Sequence, residues 1–255
     1  MTAGEPDGTT ALVVVDLQND FCAGPTARAR FGTARARFGE DKSHFGEDKS
    51  HFGEDKSHFG EDNSHFGEDR DPAVLESAVA GCVRAVARAR EHGVEVIFVR
   101  FVGDPEHQGA AWRLRDRTLG KRPKCLEGSW GAEFHAVAPA PGERVFTKRA
   151  CFDAFLGDGF AEHLAARGVR HLVLAGLYAD VCVDSTARTA FQKGFHVTVL
   201  TDCTAALHLP YDAVLRFMRV VYGARTTTAH DPRAWTAPGP RPEETEEEPC
   251  VLPPG

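Results

Sequence analysis

The sequence predicts a three-layer α/β/α sandwich on a mostly parallel, about six-stranded, Rossmann-like sheet. Apolar runs of strand length alternate with stretches of helical period, and the runs suit strands covered on both faces. The first run, Ala11 to Leu17, predicts strand one. A helix follows over 75 to 91, with apolar residues at 75, 79, 82, 83, 86 and 87, and His92-Gly93 closing it. Val94 to Val102 predicts strand two. Arg144 to Lys148, His171 to Leu177, His196 to Asp202 and Ala224 to Ala229 predict four more strands, separated by helical stretches around 158–167, 182–193 and 210–222. At 255 residues the chain has room for one full core, assigned to residues 11–235 after a flexible 1–10 segment.

Two stretches do not fit that core. Between about 27 and 70 the chain repeats every seven residues, with Phe-Gly at 31, 38, 45, 52, 59 and 66. One large apolar residue per heptad cannot seal a coiled-coil seam, and the glycine beside it costs about 1 kcal/mol in a helix. A solvated, mostly disordered low-complexity insertion is expected, in which His44, His51, His58 and His65 bind metal only if something gathers them. The second stretch, residues 236–255, is rich in proline and glutamate and is expected to be a disordered tail.

Composition narrows the function classes. The formal net charge is −7, and no basic stripe is present to follow a phosphate backbone, which argues against a nucleic-acid partner. No apolar run approaches the length of a membrane span, and the first residues lack a signal-peptide pattern, so a cytoplasmic protein with no membrane partner is expected. The seven cysteines form no C-x-x-C pair, which indicates neither a zinc ribbon nor a disulfide framework.

Ligands of an open parallel sheet bind beyond the carboxyl ends of its strands. Asp16 lies at such an end, inside "VVVDLQNDF", where an ionised carboxylate is costly unless paired. Lys148 closes "RVFTK", and Cys182 in "GLYADVCVDST" falls near the first turn of the helix after strand four. Helix-end amides are expected to favour a thiolate there. Each residue alone has an ordinary explanation as a capped carboxylate, a solvated lysine or a packed thiol. Together they supply a proton acceptor, a cation and a nucleophile.

The blocks "ALVVVDLQNDFC", "FTKRACFDAF" and "GLYADVCVDSTARTAFQKGFHVTVLTDCTAALH" resemble the three signature blocks of the isochorismatase-like cysteine hydrolases, in the same order. The likeness covers roughly 11–22 and 75–231. It implies Asp16 as general acid/base, Lys148 as its charged partner and Cys182 as nucleophile. It also implies an oxyanion hole from the backbone N–H groups of Tyr178 and Cys182, a non-proline cis peptide between Leu177 and Tyr178, and a homo-oligomer.

Departures from the family pattern narrow the expected activity. Its metal-dependent nicotinamidases carry an Asp-x-His pair and a further histidine after strand two, whereas "RFVGDPEHQGAAW" offers His107 alone, so no metal is expected. Its vinyl ether hydrolases do not need the thiol, so the cysteine points toward amides. "CLEGSWGAEFH" is similar to a Gly-[ST]-x-Gly-Ala-Glu block of the family's amidohydrolases, and Trp112, Trp130 and Phe134 are expected to line the pocket. The expected function is cleavage of a C–N bond in a small amide, carbamoyl or lactam substrate through a thioester, without an organic cofactor. The rivals are vinyl ether hydrolysis, and a partner-binding protein with a vestigial hydrolase core.

Overall fold

The computed structural model of the chain describes residues 9–23 and 71–237. The heptad insertion with its histidines, and the Pro/Glu-rich tail, lie outside the described residues. Six strands, β1 (Thr9–Val15), β2 (Glu95–Val102), β3 (Arg144–Arg149), β4 (Val169–Gly176), β5 (His196–Leu200) and β6 (Arg225–Thr227), form one sheet in the order β3-β2-β1-β4-β5-β6. Every pairing is parallel. The helices are α1 (Asn19–Cys22), α2 (Pro72–Glu91), α3 (Ala110–Thr118), α4 (Phe160–Ala166), α5 (Asp184–Gln192) and α6 (Tyr211–Tyr222).

The apolar runs become central strands because both sheet faces are covered. Ala11, Val13 and Val15 of β1 join one core with Ile97, Val99, Leu172 and Leu174, against α4, α5 and α6. Leu12 and Val14 point the other way, joining Val96, Phe98, Val173 and Ala175 against Ala78, Cys82, Ala85 and Val86 of α2. A strand that alternates between two apolar layers must be apolar at every position. The chain runs β1-β2-β3 toward one sheet edge and then returns to place β4 on the other side of β1, so the strand order reverses there. That reversal opens a crevice at the carboxyl ends of β1 and β4, where open α/β sheets bind ligands.

Two backbone features shape this crevice. At Gly176 φ is +107°, and an added Cβ would meet the Val15 carbonyl oxygen at 2.0 Å, so only glycine lets β4 end this close to β1. Asp16 has φ +51°, a left-handed conformation that aspartate tolerates better than most residues, and its amide still donates to the Val99 carbonyl at 2.9 Å.

Strand limits follow the sequence expectation closely, and three differences have local causes. α2 starts at Pro72 because the Asp71 side chain accepts from the Ala73 amide at 2.9 Å and proline occupies the first helical position. α3 was not expected because Asp116 is its one buried residue, which leaves no apolar stripe to detect. Helix α5 is preceded by a π-helical turn at Ala179–Val183, so Cys182 sits in an irregular turn ahead of the regular helix.

A buried histidine sets an acid limit on stability. His171 is fully buried in β4, with ring nitrogens 3.1 Å from the Thr10 hydroxyl and 2.8 Å from the Thr198 hydroxyl. Burial, reinforced by the charges of Arg225 and His196, lowers its pKa from 6.5 to about 4. The unfolded chain therefore takes up a proton that the folded chain refuses between those values, and stability falls as pH drops through that window. The loss is on the order of 3 kcal/mol. Urea midpoints measured from pH 7 to pH 4 are expected to fall less steeply in His171→Gln than in the parent, and parallel slopes would refute this role.

Candidate active site

The carboxyl ends of three strands converge on one buried cluster. Asp16 leaves the end of β1, Cys182 lies just beyond β4, and Lys148 comes from β3, the edge strand separated from β1 by β2. The lysine stem spans that interval, with Nζ 5.0 Å from the centre of the Phe101 ring, on the β2 residue paired in register with Lys148. Nζ donates to Asp16 Oδ2 at 2.7 Å, to Cys182 Sγ at 3.3 Å and to the Cys151 carbonyl at 3.2 Å. All three side chains are buried, with Cys182 the most exposed at 7%. Lys148 thus holds a carboxylate and a sulfur on one ammonium.

The protonation states follow from burial and charge. Burial raises the Asp16 carboxyl above the usual carboxylate range, and the Lys148 charge opposes it. For Lys148, burial works to lower the pKa, but the Asp16 carboxylate and the Cys182 sulfur more than offset it, so the ammonium stays charged. Burial, and next the negative charge of Asp16, push the Cys182 thiol above its ordinary value, with Lys148 opposing. The expectation that helix-end amides would favour a resting thiolate is therefore corrected. The thiol is thus raised beside Asp16, whose Oδ1 has no hydrogen-bond partner among the described residues.

Asp16 and Cys182 line a cavity of about 990 Å³. Phe101 stacks on Trp112 at 6.0 Å between ring centres, Trp112 meets Phe152 at 4.9 Å, and Phe21 lies 5.9 Å from Phe101, which makes one wall aromatic. Trp112 therefore borders the cavity, whereas Trp130 and Phe134 are not among its lining residues. Phe134 packs edge-on against Phe98 at 5.3 Å in the α2-side core. Trp130 offers its carbonyl to the Asn19 side chain at 2.8 Å. Aromatic content marked the 125–135 segment as packed without showing toward which side. The Leu177–Tyr178 peptide is cis, and the Tyr178 hydroxyl donates to the Phe21 carbonyl at 2.7 Å.

Several residues that build the site were missed in the sequence. Gln18, fully buried, accepts from the Phe101 amide at 2.7 Å and donates to the carbonyls of Phe101 and Ala132 at 2.9 Å each. Asn19 reaches Trp130 and His135, and Asp20 accepts from the Cys125 amide at 2.6 Å. The Gln-Asn-Asp run after Asp16 is thus a set of ties to the loops around the cavity. A polar triplet directly after a buried strand was the available signal. Asp180 does the same on the other side, accepting from the amides of Leu207, His208 and Leu209 at 2.6, 2.6 and 3.0 Å. Leu207 and His208 line the cavity. Asp180→Ala is expected to cost about 1–2 kcal/mol of stability and to raise KM several-fold, with Asp180→Asn intermediate, in melting and steady-state assays. An unchanged KM would show that this loop does not shape the pocket.

After β2, His107 faces Arg149 at 3.1 Å and Glu106 at 3.6 Å, and no group of three or more His, Cys, Asp or Glu side chains among the described residues could hold a metal ion. No helix among the described residues is long and apolar enough to cross a membrane.

Comparison with known proteins gives a consistent result. A model of the isochorismatase domain matches residues 64–231. That span excludes β1, so the place of Asp16 rests on the geometry above. Ureidoacrylate amidohydrolase RutB of Variovorax paradoxus is 31% identical over 146 residues, 52% of this chain and 58% of the relative. RutB of Azorhizobium caulinodans is 28% identical over 182 residues, covering 65% of this chain and 80% of the relative. The chain thus spans 58% of the first of these curated relatives. Among solved structures, N-carbamoylsarcosine amidase from Thermoplasma acidophilum superposes with TM-score 0.62 at 22% identity, covering 88% of this chain and 98% of that one. Nicotinamidase PncA from Bacillus subtilis superposes with TM-score 0.60 at 21% identity, covering 86% and 99%. At these identities the structural likeness establishes the fold alone.

Proposed function

The chain belongs to the isochorismatase family, and on that premise we propose that it hydrolyses the C–N bond of a small amide, carbamoyl or lactam substrate with Cys182 as nucleophile. The observation that carries this reading is Lys148 Nζ, hydrogen-bonded at once to Asp16 and to Cys182 at the floor of a cavity. Asp16 takes the thiol proton as sulfur attacks the carbonyl carbon, so a high thiol pKa at rest is no obstacle, because deprotonation and attack are coupled. The developing oxyanion is assigned to the backbone N–H groups of Tyr178 and Cys182. Asp16 then returns the proton to the leaving nitrogen, and the C–N bond breaks to give a thioester. Water, deprotonated by the same carboxylate, cleaves the thioester, releasing the acid and restoring the thiol.

The names of the relatives favour ureido and carbamoyl compounds within this class, since one acts on ureidoacrylate and a structural neighbour on N-carbamoylsarcosine. The test is a panel of ureides, carbamoyl amino acids, nicotinamide and lactams, followed by ammonia or acid release for the parent and Cys182→Ala. Turnover of at least one member by the parent and none by the variant is expected. Cleavage of a vinyl ether substrate, added to the panel, that survives in Cys182→Ala but not in Asp16→Asn would point instead to vinyl ether chemistry, in which the carboxyl acts without the sulfur.

A further inference from the structure

The rim of the cavity is basic although the chain as a whole is acidic. Among the described residues that line it, Asp16 is paired with Lys148, and Asp116 is buried against Arg115 at 2.6 Å. Arg115 is also fixed over the Trp112 ring at 4.1 Å. The remaining charged lining residues are three cations, Lys121, Arg122 and Lys124, and one carboxylate, Asp20, which accepts from the Cys125 amide. Residues 121–124 are exposed, whereas Asp16 and Cys182 are buried, so these cations stand on the exposed part of the cavity lining. The backbone holds Lys121 there, since its amide donates to the Asp116 carbonyl at 2.8 Å where α3 ends. A local positive excess at a cleft of low-dielectric walls concentrates anions at its mouth.

From this placement we propose that Lys121 and Arg122 are specificity-determining residues that receive a carboxylate of the substrate, so that the enzyme acts on amide or carbamoyl acids in preference to their neutral analogues. The proposal rests on the hydrolase reading above and deepens it. The scissile carbonyl sits at Cys182, the body of the substrate lies along Phe101 and Trp112, and the carboxylate stays at the rim, where its hydration is largely kept and its charge is matched. Exposed cations at a rim act mainly on encounter and KM, and salt screens them.

Iodoacetate and iodoacetamide test this without knowledge of the natural substrate, because both transfer a two-carbon group to sulfur with loss of iodide and differ in charge. Rates of modification at Cys182 are read by peptide mass spectrometry, with Cys151, which does not line the cavity, as internal reference. The iodoacetate to iodoacetamide ratio at Cys182 is expected to exceed that at Cys151 by roughly fivefold at low salt and to collapse toward it at high salt. It is expected to fall likewise in the Lys121→Ala/Arg122→Ala double variant, with Lys121→Gln alone as the milder substitution if the double variant folds poorly. N-carbamoyl-β-alanine should protect Cys182 better than its uncharged amide. Equal ratios at the two cysteines, or a ratio unmoved by the substitutions while melting temperature falls, would overturn the carboxylate subsite and leave these cations as helix-end charges. Failure of both reagents to reach Cys182 would overturn the carboxylate subsite alone, whereas the hydrolase reading falls only if no amide, carbamoyl or lactam is turned over in a Cys182-dependent way.

Discussion

Cys182→Ala is expected to lose at least ~10⁴-fold in kcat/KM while keeping the fold, because no neighbouring group can form the acyl intermediate in its place. The sulfur is buried beside Ala179, Val183 and Ala187 in a packed layer, and its replacement by a methyl group removes little volume. Stability is expected to stay within about 1 kcal/mol of the parent. Circular dichroism and a thermal melt report the fold, and ammonia release reports the chemistry. Cys151 provides a control, since it is half-buried and lies near Lys148 without reaching it through its sulfur. Cys151→Ala should remain active. If the two variants behaved alike, the thiol beyond β4 would not be the nucleophile.

Lys148→Met is expected to be nearly as severe, on the order of 10³-fold in kcat/KM, for a different reason. Methionine fills a similar volume but leaves Asp16 buried without a counter-ion. Burial already raises that carboxyl and Lys148 is the charge that opposes it, so removal of the ammonium raises it further. A protonated Asp16 cannot take the proton of the thiol. In the parent, activity requires the carboxylate and is lost on the acid side as Asp16 protonates. In the variant this acid limb should move to higher pH. Lys148→Arg tests geometry separately from charge, since the guanidinium keeps the charge but cannot place one nitrogen 2.7 Å from Asp16 and 3.3 Å from Cys182 in the same way. A pH profile with an unshifted acid limb in Lys148→Met would show that the lysine does not control the carboxyl.

Much of this arrangement was legible before any coordinates, and the parts that were not share a cause. The central strands stood out because a strand buried on both faces has to be apolar throughout, and that demand is written in consecutive residues such as Ala11 to Val15. α3 was illegible because its residues serve the rim of a cavity and bury little except Asp116. The roles of Gln18, Asn19, Asp20 and Asp180 were illegible for a related reason, since each acts through a backbone group far away in the chain. Trp112 borders the cavity, while Trp130 and Phe134 face other neighbours. Aromatic character measures the tendency to be buried, and direction comes from the packing of the loop that carries the ring.

By itself the sequence determined the α/β alternation, the strand ends at which Asp16, Lys148 and Cys182 stand, and their likeness to three blocks of a hydrolase family. These are properties of short segments, fixed by periodicity, by turn residues and by the types of side chain in a row. Only the tertiary structure decided that a lysine from the edge strand β3 reaches past β2 to a carboxylate on β1 and a sulfur beyond β4, and that burial raises the thiol beside them. Burial sets that shift. Burial is the sum of what β1, β2, β3 and the turn before α5 bring together around one point, and no single segment carries it.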